Sequence, residues 1–381
     1  MQAEEDRAFK EEKNTFIDEE IYAIDQELEK LSKGNQYEIP RENRNQKTDI
    51  KTAIGLRAED SKKLVGPAFL SPMQIKKPKR DLSKIIPSGI DKLDKRIIGF
   101  NPRELSIWSG SNGSGKSSIL SQLALNSLDN NFNVAMFSGE LMADRVLDWI
   151  HLQAAGKNYV RSTQYEKYYT VPGEIAHRVN KWMDQKLFIY NNDLGTDVIK
   201  VVRAIRECIE KYHISMIVID NMMSLDLANV SGEKYEKQTS LVLALCELTK
   251  QSNVHIHFVA HPRKSLGFLR KNDISGTADI TNAADNVFIV HRVNTDFKRS
   301  IKSDLGIKDD NELFGYSNVI EVCKNRDLGI ADEFIGLHFE SESKRFLNYT
   351  GENNRYGWEA NKIGFLDVAD LKDTPFGKED D

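Results

Sequence analysis

At 381 residues, with 40% hydrophobic and 29% charged side chains, the chain can hold one large α/β body and a smaller appendage, since single cores rarely grow past roughly 250–300 residues. The net charge of −5 carries no global nucleic-acid signature, so any DNA contact must come from local basic clusters. Cys208, Cys246 and Cys323 lack metal-ligand spacing, MQAEEDRAFKEEK is no secretory leader, and no apolar run is long enough to span a bilayer; the expectation is an intracellular, cytoplasmic protein with reduced thiols, no zinc module and no membrane contact.

Residues 1–80 are charge-dense. Within them Ile17, Ile21, Ile24, Leu28 and Leu31 recur at spacings of four and three, which predicts one apolar stripe on a helix over 15–32. A lone stripe cannot bury itself, so it docks on its own domain or on a neighbouring subunit. The stretch 34–63 is polar, and Lys76–Arg80 reads as a basic linker. From about Leu82 short apolar strands alternate with helical segments. The expected strands are Leu105–Ser109, Val134–Ser138, Leu187–Tyr190, Met216–Asp220, His255–Ala260, Val287–His291, Val319–Lys324 and Ile335–Phe339. Helices are expected over Lys116–Asn130, Ala143–Ala155, Asp197–Tyr212 and Tyr235–Gln251. This alternation predicts an α/β fold with a mostly parallel sheet covered on both faces. The last strands come without long helices between them and suggest an antiparallel extension at one edge. From Gly351 the sequence turns polar and then acidic, reading as a tail over 351–381. The expected organisation is therefore an N-terminal helical region and linker (1–80), a catalytic body (81–350) and a tail.

Gly110-Ser111-Asn112-Gly113-Ser114-Gly115-Lys116-Ser117 fits G-x-x-x-x-G-K-[ST], with the strand LSIWS before it and a helix from Lys116 onward through Ser118. Glycines let backbone N–H groups turn inward around phosphate oxygens, and a helix N-terminus favours negative charge there. Lys116 is expected to hold the β- and γ-phosphates of ATP, and Ser117 to ligate Mg²⁺. A carboxylate at a strand end is needed beside the ion, and MIVID ends in Asp220. Hydrolysis also needs a group to orient water. Glu140 follows the strand VAMFS, expected beside the P-loop strand, where an acid faces the γ-phosphate across the width of one water. The alternative is an exposed acid favoured by a helix start.

The run IPSGIDKLDKRIIGFNPRELSIWSGSNGSGKSS, then VAMFSGELMADRV, MIVIDNM and VHIHFVAHPRK, resembles the DnaB-type hexameric replicative helicases, and within them the Twinkle and phage primase–helicase branch. The resemblance covers roughly Ile85 to Leu347. It implies a RecA-like P-loop core that burns ATP with Mg²⁺ to move on single-stranded DNA and unwind duplex during replication. Glu140 is then the implied catalytic base, and His261 matches the position that senses the γ-phosphate and couples it to DNA contact. Ile274–Asp285 matches the next motif, which usually carries glutamine near Asn282; the shorter amide is a departure, as is Asn101-Pro102 where the family often has glycine. Lys324-Asn-Arg326 matches the family's K-x-R pair, whose arginine acts as a finger on ATP bound to the adjacent subunit, with the lysine beside it. A trans cation makes hydrolysis depend on assembly, and such head-to-tail contacts close into rings.

Arg263, Lys264, Arg270 and Lys271 follow His261 in a Gly- and Ser-containing segment, and are the expected grip on the single-strand backbone. Phe268 either stacks on a base or anchors this loop. Ala228–Lys237 is a second pore-loop candidate. Residues 1–80 are too short for a primase-type domain, so no primer synthesis is expected, and primase, polymerase or a helicase loader are the expected partners of a homo-oligomeric, hexameric ring. The acidic tail with Phe376 docks such partners or serves as a solubilising end. The alternative function is a RecA/RadA-like recombinase or mediator forming filaments, which shares the P-loop and Walker B acid but not the HPRK segment or this K-x-R placement.

Overall fold

The computed structural model describes residues 49–53, 69–75, 81–262, 268–274 and 278–360. The expected helix over 15–32, the basic linker 76–80, Arg263, Lys264 and the tail from 361 lie outside the described residues. In chain order the elements are α1 (Ile50–Ala53), α2 (Asp91–Ile97), β1 (Leu105–Ser109), α3 (Lys116–Asp129), β2 (Asn133–Ser138), α4 (Ala143–Ala155), β3 (Arg161–Ser162), β4 (Tyr169–Thr170) and α5 (Gly173–Met183). They continue with β5 (Leu187–Ile189), α6 (Val198–Tyr212), β6 (Ile214–Asp220), α7 (Lys234–Ser252), β7 (His255–Val259), α8 (Ala278–Ala283), β8 (Asn286–Arg292), α9 (Thr295–Leu305), β9 (Asn318–Asn325), β10 (Glu333–Glu340), β11 (Arg345–Leu347) and α10 (Gly357–Ala360).

Local chemistry accounts for these boundaries. In α6, Asp197 Oδ1 accepts from Lys200 N at 3.0 Å and caps the first turn. Val198, Val201, Val202, Ile205 and Ile209 are buried along one stripe of that helix, which stops at His213 in the left-handed region. Along β6, Met216 and Val218 join the core on one face while Ile217 and Ile219 join the core on the other, the period of two expected of a strand buried on both sides. Helices α6 and α7 cover one face; α3, α4 and α5 cover the other.

Nine strands form one sheet in the order β11-β10-β9-β8-β1-β7-β6-β2-β5. β5, β2, β6, β7, β1 and β8 pair in parallel, and β9, β10 and β11 extend the edge antiparallel, as the sequence pattern suggests.

Several expectations change. β2 does not lie beside the P-loop strand, because β7 and β6 stand between them. A helix, α9, separates β8 from β9; Asn294 caps it, Phe297 and Ile301 bury its inner stripe, and Gly306 ends it. The packed body runs past Gly351, since Tyr356 and Trp358 are both 3% exposed and the Trp358 indole donates to Ala154 O. At the other end Ile50, inside the stretch expected to be polar linker, is fully buried.

Candidate active site

The P-loop leaves β1, turns through Gly110–Gly115 and enters α3 at Lys116. Gly115 has φ +98°, and a Cβ there would come within 2.6 Å of the Phe346 ring, so only glycine allows this approach. Lys116 is buried and its Nζ donates to Gly110 O (2.8 Å) and Ser111 O (3.1 Å). Burial holds its pKa below the ordinary lysine value, against the pull of Asp220 and Glu140. Ser114 Oγ is buried in the loop with no hydrogen-bond partner among the described residues, and Asn318 Nδ2 donates to Ser114 O at 2.8 Å.

Asp220 ends β6 and accepts from Ser117 Oγ at 2.5 Å. Desolvation raises its pKa above the usual carboxylate value, with the Ser117 hydrogen bond opposing. β2 pairs with β6 so that Ser138 stands opposite Asp220, and Glu140 follows two residues later. Its Oε1 accepts from Asn221 Nδ2 and lies 3.2 Å from His261 Nε2. His261 follows β7, which lies against β1 through Ala260 N donating to Trp108 O at 2.9 Å. The loop, Glu140, Asp220 and His261 thus line one cleft of about 1290 Å³. The buried Lys116 ammonium, the Ser114 hydroxyl with no partner among the described residues and the Ser117–Asp220 pair form a set that fits a magnesium nucleotide.

Lys324 and Arg326 stand elsewhere. β9 runs antiparallel to β8, with Asn318 opposite Arg292 at the P-loop end and Asn325 opposite Asn286 at the other. At about 3.4 Å per residue the strand carries Asn325, the neighbour of Arg326, roughly 24 Å from Asn318 at the P-loop end. Lys324 Nζ donates to Thr281 O (3.0 Å), Asn282 O (2.9 Å) and Ala284 O (2.7 Å). These commit all the protons of an ammonium to the C-terminal end of α8. Burial lowers the Lys324 pKa, and Arg326 adds to the effect. Arg326 Nη1 pairs with Asp285 Oδ1 at 2.6 Å and Nη2 donates to Asn282 O at 2.7 Å, yet the side chain stays 49% exposed. Asp285 Oδ2 in turn accepts from Leu105 N at 3.0 Å, tying the arginine to the start of β1. Asn282 itself is exposed and serves these cations through its carbonyl.

Of the basic cluster, Arg270 and Lys271 are described and half-buried. Phe268 is buried, stacked on His291 with centroids 4.6 Å apart, and Arg270 lies over its ring at 4.8 Å. It anchors the loop instead of offering a face to a base. The last four residues of Ala228–Lys237 are helical, since α7 starts at Lys234, and Lys237 Nζ donates back to Leu227 O at 3.0 Å. Sequence reasoning missed the roles of Asn221, Asp285, Asn318 and Phe346. Asn221 and Asp285 carried a signal, an amide directly after the acid of MIVID and the acid closing the Ile274–Asp285 motif.

A parallel sheet with a phosphate loop after one strand, an acid ending the next strand but one and a second acid beyond it defines a P-loop nucleotide site on a RecA-like core. The chain belongs to the DnaB-like helicase C-terminal domain family, whose model matches residues 85–348; the family makes it a helicase with an ATP-hydrolysing core. It is similar in fold to a structure of the "ATPase Domain of G40P", at 18% identity and TM-score 0.53, covering 69% of this chain and 91% of that one. It is also similar to a DnaB-like replicative helicase solved for its interactions with primase, at 15% identity and TM-score 0.55, where 69% of this chain matches 61% of that chain. Among the described residues no helix is long and apolar enough to cross a membrane.

Proposed function

We propose that this chain assembles head to tail into a ring, hexameric by family resemblance, that moves on single-stranded DNA, with Arg326 completing the nucleotide site of the next subunit. The position of Arg326 supports this reading: a half-exposed guanidinium held on Asp285, at the end of β9 away from its own P-loop, is out of reach of its own phosphates and open to a neighbour's. Lys116 would hold the β- and γ-phosphates of ATP, and Ser117 with Asp220 would hold Mg²⁺, which supplies charge neutralisation on the phosphate oxygens. Glu140 would take the proton of the attacking water as the bond to the ADP oxygen breaks, while His261, 3.2 Å from Glu140 Oε1, links that carboxylate to the segment carrying Arg270 and Lys271. Those two, with Arg263 and Lys264, are the proposed backbone grip on DNA. Lys324 fixes the end of α8 on which Arg326 rests. The primase contact of the DnaB-like relative makes primase the first partner to test here.

The deciding experiment mixes two inactive variants. K116A lacks a working P-loop and keeps its finger; R326A lacks the finger and keeps its P-loop. Mixed rings should recover DNA-stimulated ATPase activity at interfaces where an R326A pocket meets a K116A finger. If mixtures stay as inactive as the separate variants while both still assemble, the trans reading is lost.

A further inference from the structure

We infer that Asn221 is the positioning residue of Glu140: its side-chain amide, more than the backbone of β2, decides where that carboxylate stands. The inference rests on Glu140 being the base proposed above. Asn221 follows Asp220 directly and is 1% exposed. Its Oδ1 accepts from Met223 N (2.8 Å) and Ser224 N (3.2 Å), capping the 3-10 turn Met222–Ser224. With the oxygen held by two backbone donors, the amide cannot flip. Nδ2 therefore points one way, and what it meets is Glu140 Oε1.

Glu140 needs such a partner. Its side chain is 57% exposed, and a free glutamate there would spread over many rotamers. Among the described residues its other hydrogen-bond partner is His261, which shares the same oxygen. Lys116, Asp220 and His261 are the charged or titratable groups around it. The two segments are also fitted to each other sterically. Ser224 Oγ donates to Asn221 O at 2.7 Å, and it occupies the place where a Cβ on Gly139 would lie. The turn after β6 and the segment after β2 thus hold the metal-side acid and the water-side acid at a set separation, although the two acids come from different strands.

The test is steady-state ATP hydrolysis by the full-chain oligomer with single-stranded DNA, alongside binding of a fluorescent ATP analogue. N221A removes the donor. N221D keeps the oxygen that caps the turn, so it protects folding, but it places a carboxylate against Glu140. Both should lower kcat by about 30- to 100-fold, up to the lower end of what general-base catalysis supplies, with analogue affinity within about twofold of wild type. N221D should also move the acid limb of the kcat–pH profile upward by about one unit, which a merely structural defect would not do. In an E140Q background N221A should cause no further loss. Wild-type kcat in N221A and N221D beside an inactive E140Q would overturn this inference alone. So would additive losses in the double variant, or a loss of kcat matched by lost nucleotide affinity. Full turnover by E140Q would instead remove the base reading itself, and this inference with it.

Discussion

Ser117 Oγ and Asp220 Oδ2 stand 2.5 Å apart although 103 positions separate them in the chain. The hydroxyl after the P-loop lysine and the acid ending β6 thus meet where a cation bound to both would sit. Burial raises the Asp220 pKa. A carboxyl raised in the folded state contributes stability below its unfolded value and loses it as pH rises through its folded value. At pH 7 its ionised form is therefore a cost to the nucleotide-free protein. Asp220→Asn should melt no lower than wild type at pH 7 by calorimetry, while ATP hydrolysis falls by at least about 100-fold. A clear drop in Tm would contradict this account of the site.

Acid should unfold the protein through the middle of its sheet. His255 and His257 are buried on β7. The Trp108 indole, donor only, points at His257 Nδ1 (3.0 Å), and His255 Nδ1 faces Asn101 O (2.6 Å). Burial pushes His255 down to about 4 and His257 well below its ordinary value. A depressed histidine contributes stability above its unfolded value near 6.5, and this is lost as pH falls through the folded value. Stability measured by urea titration should drop by about 3 kcal/mol from His255 alone between pH 6.5 and pH 4. A flat profile across that window would argue against it.

Lys324→Met removes the donors to Thr281, Asn282 and Ala284 carbonyls. If lysine acts by holding the platform under Arg326, DNA-stimulated kcat should fall by about tenfold or more. The double variant with Arg326→Ala should then be no worse than Arg326→Ala alone. Additive losses would give Lys324 a separate role at the phosphate.

Gly139→Ala forces a methyl group into the space of the Ser224 side chain. The segment carrying Glu140 has to shift, and misplacement of about 1 Å can cost on the order of 100-fold in rate. The expected signature is a kcat loss of at least about tenfold with KM for ATP nearly unchanged. Wild-type kinetics would show that the two segments yield to each other freely.

Trp358→Ala tests whether the body extends past Gly351. The ring packs edge-on against Tyr159 with centroids 5.0 Å apart, and Arg178 lies 5.1 Å over it. Truncation should cost about 3–5 kcal/mol and lower Tm by several degrees. A shift of less than about 1 kcal/mol would return this segment to the status of a tail.

Much of the site was legible because its chemistry is local. A phosphate loop is built from consecutive backbone N–H groups, so strand, glycines, lysine and hydroxyl must be neighbours in the chain. Asp220 was legible as the acid closing an apolar strand. α9 carried local signals in its Asn294 cap and Phe297–Ile301 spacing, but the short apolar strands on both sides led to the reading that no long helix lies between the last strands. Tyr356 and Trp358 gave no such sign, since two aromatics in a polar stretch do not announce which surface covers them.

From the chain alone came the alternation of strands and helices, the P-loop and the candidate acids, all properties of residues a few positions apart; the K-x-R pair came from the resemblance to a family. Tertiary structure alone decided that β6 and β7 separate β2 from β1, that Phe268 anchors instead of stacking, that Lys324 caps α8 and that Asn221 meets Glu140. The division is physical: turn geometry and amphipathic period are set by neighbouring torsions, whereas strand order and side-chain partners follow from packing the whole sheet at once, which no short window of sequence encodes.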